Sequence, residues 1–273
     1  NTVVVLDSRT MEQSGSVSVG SEPIALAAVP GSRPLLAFDY GSASVTLADA
    51  ATGSTQNIHV GAKPWGVAVS PDGRDAYVAV QSSNEVVDID IDSGSVTRSI
   101  KVGTRPAYLA VSPDGSTLYV AEAGEGTLAS VDLVDGSVTS RANVGGKPWG
   151  VAVSPDGSYV YVCDNSGNRL LVVDAQTDDV VSSTGTGTNP DFVSVSPEGD
   201  YVIVPNSTSS TVSVLTGDVI ADGSNQAQTG AGSGDTAQNG SGDAQDGTSR
   251  TGAGDQDVGD GVDSDSSDYD PVG

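Results

Sequence analysis

A repeat of 42 residues, four strand-length apolar runs in each copy, and a composition poor in helix formers together predict an all-β chain, a β-propeller of about five four-stranded blades. The repeat is plainest at residues 64–73, Pro-Trp-Gly-Val-Ala-Val-Ser-Pro-Asp-Gly, which return almost unchanged at 148–157. A copy at 106–115 lies midway, a fourth starts at Pro190 and runs to Gly199, and an eroded one spans 23–30. Of the 36 acidic residues, thirty are Asp and six Glu, and Gly (35) and Pro (13) are abundant. Long helices favour Glu, Leu and Lys, so this balance speaks against them.

Each element follows in order within one copy. Residues 65–70 form a first strand, closed by Ser70-Pro71-Asp72-Gly73, where Pro presets φ and Gly accepts a positive φ. A second strand covers 76–80 and a third 85–89; Asp92-Ser93-Gly94 then turns the chain into a fourth over 95–102. Runs such as Tyr77-Val78-Ala79-Val80 are apolar on both faces, which suits a sheet held between two neighbours. The chain opens partway through a repeat, since 1–7 aligns with 84–90 and 168–174. The last repeat loses its fourth strand after Leu215, while 14–19 supplies a fourth strand lacking a first and second. Pairing these halves would close the ring and remove free edges. It would also set 3–6 and 211–215 in competition for one third-strand position, and the sequence leaves both options open.

From Ala221 the composition changes. Residues 221–273 hold eleven Asp, twelve Gly and one Arg, too little apolar surface to offset chain entropy, so a disordered acidic tail or linker is expected after a propeller of residues 1–220. Asp257, Asp260, Asp263, Asp265 and Asp268 read as a solvated spacer, because the ligand alternation of a calcium loop is absent. The tail carries −10 of the formal −25, leaving −15 on the repeats. So acidic a surface repels phosphate backbones and anionic lipid heads, which argues against nucleic acid and against direct membrane insertion. Few Lys beside many surface Asp suggest adaptation to high salt, as in a halophilic archaeon. One Cys, one His and one Met leave no multi-cysteine metal site, haem or copper centre, and no cofactor is expected.

The strings Tyr77-Val78-Ala79-Val80, Tyr119-Val120-Ala121-Glu122 and Tyr161-Val162-Cys163-Asp164, each after Ser-Pro-Asp-Gly, resemble the YVTN-repeat family of surface-layer or lactonase-like β-propellers. Asn84 to Asp90 and Asn168 to Asp174 extend the resemblance, which covers about 1–216. It implies an exported or cell-surface protein of an archaeon or bacterium. Members of that family often have seven blades, whereas about five fit here.

Most reactive-looking residues have plainer roles. Cys163 aligns with Ala79 and Ala121 inside a second strand, so it reads as a small buried apolar residue. His59 ends a fourth strand on the outer rim. Asp72, Asp114, Asp156 and Glu198 belong to turns, and Asp90, Asp132 and Asp174 cap them. The sequons at Asn206 and Asn239 could accept glycan on an exported protein. No residue stands out as catalytic or as a metal ligand. Lys63, Arg105 and Lys147 share one repeat position, just before the Pro that opens the first strand; Glu22 and Asn189 fill the other copies. Trp65 and Trp149, the two Trp of the chain, sit two residues further on. First strands line a propeller's channel, so these five residues should ring its mouth and receive an anionic ligand, an acidic glycan or a carboxylate-bearing peptide end. The expected function is binding or scaffolding at the cell surface, with a glycan or protein partner and without catalysis. The alternative is a lactonase-like hydrolase or lyase at the same mouth, and a general acid or base there is hard to find.

Overall fold

The computed structural model describes residues 1–31 and 34–216, and the backbone of 228–230. The chain divides into two units, Asn1–Gly232 and Ser233–Gly273, and the described residues lie in the first. Most of the expected tail and the sequon at Asn239 lie outside them, but residues 228–230, expected to be disordered, form a strand paired with residues 212–214.

The architecture is an all-β propeller. After β1 (Thr2–Leu6) and β2 (Gln13–Ser18) come β3 (Pro23–Ala28), β4 (Pro34–Asp39), β5 (Ser44–Asp49) and β6 (Thr55–His59), the first blade. The second blade is β7 (Pro64–Val69), β8 (Asp75–Val80), β9 (Glu85–Asp90) and β10 (Ser95–Lys101); the third is β11 (Pro106–Val111), β12 (Thr117–Glu122), β13 (Thr127–Asp132) and β14 (Val138–Asn143). The fourth holds β15 (Pro148–Val153), β16 (Tyr159–Asp164), β17 (Arg169–Asp174) and β18 (Val180–Gly185). The fifth holds β19 (Ser194–Val195), β20 (Tyr201–Asn206), β21 (Thr211–Thr216) and β22 (Gln228–Gly230). Each blade is an antiparallel sheet with its strands in chain order.

The two-sided apolar strands are explained by the packing. On β12, Leu118 and Val120 join a cluster with Tyr77, Ala79 and Val86 of the second blade. Their neighbours Tyr119 and Ala121 face the other way, into a cluster with Val160, Val162 and Leu171 of the fourth. Strand alternation thus feeds both interblade cores. The turns behave as expected: Asp72 accepts from the Ser70 hydroxyl at 2.7 Å and the Arg74 amide at 3.1 Å, and these bonds hold its carboxyl below the usual range.

Ring closure by pairing the two half-repeats does not occur. β1 and β2 form a two-stranded sheet of their own, and β22 pairs with β21 as the fourth strand of the last blade. β1 and β21 each fill a third-strand position in separate sheets, so they do not compete. The fifth blade is open on one face: Ile203, Val212 and Val214 are 40–42% exposed, while their counterparts Tyr161, Leu170 and Val172 are 2–3% exposed.

Candidate functional site

As β3 does at Pro23/Ala25, the inner strands of the second, third and fourth blades show a register shift just after their opening Pro, at Pro64/Val67, Pro106/Leu109 and Pro148/Val151. Pro cannot donate to the ladder, and a bulge there re-aims the next side chains. Those side chains are Trp65, Ala107 and Trp149, with Gly66, Tyr108 and Gly150 beside them. The result is an aromatic plug. Trp65 of the second blade meets Trp149 of the fourth edge-on at 5.5 Å, across the third blade, and Tyr40 meets Trp65 at 5.9 Å. Tyr108 and Phe192 pair at 4.6 Å. Gly66 and Gly150 make this approach feasible: a Cβ on Gly66 would lie 2.3 Å from the Ala107 carbonyl oxygen, and one on Gly150 2.8 Å from that of Asp191.

The residues just before each inner strand form the rim of the plug. The Lys63, Arg105 and Lys147 carbonyls accept from the amides of Gln81, Ala123 and Asn165, so each rim residue is tied to the turn after its own second strand. Lys63 and Arg105 adopt φ of 59° and 53°. Gly or Asn takes that region at lower cost, and Asn189 does so in the fifth blade. Asn84 accepts from the Arg105 amide at 3.0 Å and Asn168 from Asn189 at 2.9 Å, which joins each rim to the preceding blade.

Beneath the rim lies a buried position, polar in four of five blades, that the sequence reading missed. Asp39, Glu122, Asp164 and Asn206, with Val80 in the second blade, end the five second strands, and all are at most 1% exposed. Glu122 accepts from the Gly103 amide at 2.7 Å, the Thr127 hydroxyl at 2.6 Å and Arg141 Nε at 3.0 Å. Asp164 accepts from the amides of Lys147 and Gly167 and from Arg169 Nε. Burial raises the Asp164 pKa, but these bonds outweigh it and hold the carboxyl below the usual value. Asp39 accepts from the Thr46 hydroxyl at 2.6 Å, has no ion pair among the described residues, and burial holds its pKa above the usual value against the pull of the N-terminal ammonium. Asn206 belongs to the same set: its Nδ2 donates to Thr211 and Ser213 and it is 1% exposed. It is therefore no glycan acceptor, contrary to the sequon reading. The repeat step of 41 or 42 residues links all five positions and was the available signal.

The structure brings Trp65, Trp149 and Lys147 together, with Lys147 Nζ 5.6 Å from the Trp149 ring centre. Lys63 and Arg105 are exposed at the same end of the neighbouring blades. Among the described residues, Arg74, Arg98, Lys101, Arg141 and Arg169 are ion-paired, whereas Arg9, Lys63, Arg105 and Lys147 are not. Cys163 is fully buried, its thiol donates to the Phe192 carbonyl at 3.2 Å, and burial pushes its pKa up. His59 is exposed on β6. Among the described residues no three His, Cys, Asp or Glu side chains are grouped to hold a metal.

The family model described as "Lactonase, 7-bladed beta-propeller" matches residues 86–184 and 138–223, together half of the chain. Among solved structures, hydrazine synthase of Kuenenia stuttgartiensis is similar over 79% of this chain and 89% of its own, at 22% identity and a TM-score of 0.55. A functionally unknown protein from Desulfotomaculum acetoxidans DSM 771 is similar over 79% of this chain and 72% of its own, at 16% identity and a TM-score of 0.70. At these identities the likeness concerns the fold alone. No curated protein matches. The described residues hold five four-stranded sheets and one two-stranded sheet, against the seven blades in the family's description. With half of its length matched, the chain belongs to the lactonase, 7-bladed β-propeller family.

Proposed function

We propose that this propeller is an exported, cell-surface binding module that takes an acidic glycan at the plugged mouth of its channel. The carrying observation is the contrast in pairing. In a chain of formal charge −25, three of the four described cations without an acid, Lys63, Arg105 and Lys147, occupy one position in three successive blades; the fourth is Arg9. Trp149, half-buried beneath Lys147, adds aromatic surface of the kind that receives the apolar face of a sugar. Each exposed ionic contact contributes about 0.2–1 kcal/mol, so three together shift affinity by roughly threefold to a hundredfold. The charge balance favours a saline setting, in which self-repulsion of the acidic surface is screened.

Calorimetric titration of the full chain with trigalacturonate tests this reading. Binding should be measurable at low salt and lost in a Lys63→Ser/Arg105→Ser/Lys147→Ser variant of unchanged circular dichroism. Equal affinity in the two proteins would refute it. The second reading is a lactonase-like hydrolase at the same mouth. It is favoured by Asp191, a carboxylate at the register of Trp65 and Trp149, held by Asn165 Nδ2 at 2.7 Å. Its test is lactone hydrolysis by the wild type that disappears in Asp191→Asn.

A further inference from the structure

The Trp65 side chain is 8% exposed, and its indole N–H has no acceptor within the protein. An indole N–H can only donate, so nothing else on the ring compensates. Gln81 Nε2 is likewise buried without a partner. Of the other unpartnered buried atoms, Asp39, Asp88 and Asn206 each leave one oxygen unpaired while their other terminal atom is bonded, to Thr46, Arg98 and Ser213 respectively, and the Ser182 hydroxyl lies on β18, away from the inner strands. Trp65 and Gln81 are also close in the fold. Gln81 donates its backbone amide to the Lys63 carbonyl, and Pro64, between Lys63 and Trp65, pairs with Val80. The two unsatisfied donors therefore belong to residues at the same end of the second blade, whose backbones meet beside Lys63. Buried unpaired donors are costly, and a ligand acceptor would offset that cost.

We propose that Trp65 Nε1–H and Gln81 Nε2–H form an inner carboxylate subsite, in which both donate to one uronate carboxylate while the sugar ring lies against Trp149. This rests on the glycan-binding reading above and narrows its ligand to a uronic acid. An acceptor-only carboxylate matches two donors and uses the rim charge as well. The inner contacts also explain how binding survives concentrated salt. At molar ionic strength screening acts within about 3 Å, so the exposed rim cations weaken while a direct hydrogen bond in a buried place does not.

The test titrates the full chain in molar NaCl with trigalacturonate, with its methyl ester, and with a short peptide bearing a free C-terminus. Trigalacturonate should bind; the ester and the peptide should not. Trp65→Phe and Gln81→Leu should each weaken trigalacturonate binding by about tenfold or more. Gln81→Leu should leave the melting temperature unchanged or raise it, because it deletes an unpaired donor at similar volume. It keeps the test valid if Trp65→Phe unsettles the plug. If the triple rim variant loses low-salt binding while both inner variants bind as the wild type does, the subsite is refuted and the glycan reading stands. If no acidic sugar binds the wild type at any salt, both fall. Binding of the ester or the peptide as well as the acid overturns the uronate assignment.

Discussion

Replacing Glu122 by Val installs the residue that stands one repeat earlier, at Val80, so the change is one the blade geometry already accommodates. Three donors lose their acceptor. The Gly103 amide sits in a buried position and costs about 1–3 kcal/mol when unpaired. The half-buried Thr127 hydroxyl adds about 1 kcal/mol. Arg141 is 40% exposed and turns to water, so its loss is small. Relief from burying a carboxylate works in the other direction. The net expectation is about 1–3 kcal/mol of destabilisation, or roughly 2–12 °C in melting temperature for a unit of this size. The partner change, Arg141→Ser, copies Ser99 and Ser183 of the adjacent repeats and strands Glu122 as an uncompensated buried charge, which should cost more, about 3–5 kcal/mol. Urea unfolding of the two variants at neutral pH supplies both numbers. A Glu122→Val loss below about 1 kcal/mol, or an Arg141→Ser loss smaller than that of Glu122→Val, refutes the view that Glu122 pins the rim loop.

Gly66→Ala should destabilise by about 3 kcal/mol, since its Cβ would meet the Ala107 carbonyl oxygen, a backbone atom that cannot rotate away; chemical unfolding reads this directly. Asp39 and Asp164 occupy the same repeat position yet should respond to pH with opposite sign. Burial raises the folded pKa of Asp39 above 3.8, so its stabilising contribution is complete below that value and lost as pH rises through the raised pKa. Asp39→Asn should therefore stabilise at neutral pH, with the gain vanishing in acid. Asp164 is lowered, its contribution is present above 3.8 and lost as pH falls through the depressed pKa, and Asp164→Asn should destabilise at neutral pH. Melting curves from neutral pH to about pH 3 decide both, and equal signs would contradict the assignment. The melting temperature of the wild type should rise from dilute buffer to molar NaCl, and a flat or falling trend would argue against a saline habitat.

The repeat made the blades legible because strand length, turn chemistry and period are all local properties. Strand bounds such as Glu85–Asp90 follow from Asn84 and from the Asp92-Ser93-Gly94 turn. The burial of Cys163, the exposure of His59 and the turn bonds of the aspartates were legible because their counterparts in other repeats show their surroundings. What register could not supply was distance across the axis. Trp65 and Trp149 share a repeat position two blades apart, and their contact depends on Gly66 and Gly150 letting the inner strands close up. The buried polar set escaped notice because Val, Glu, Asp and Asn alternate at one position whose cations come from different strands, Arg141 on β14 and Arg169 on β17. Asn206 was misread for the same reason: a sequon looks like surface until the end of the second strand is known to be interior.

A crystal structure of the full chain with trigalacturonate would place the ligand directly. Density for a uronate carboxylate within hydrogen-bond distance of Trp65 Nε1, with Lys63, Arg105 and Lys147 turned toward the same sugar, is the predicted result. Ligand density elsewhere, or rim cations turned outward onto acids of their own blades while the mouth stays bare, would contradict it.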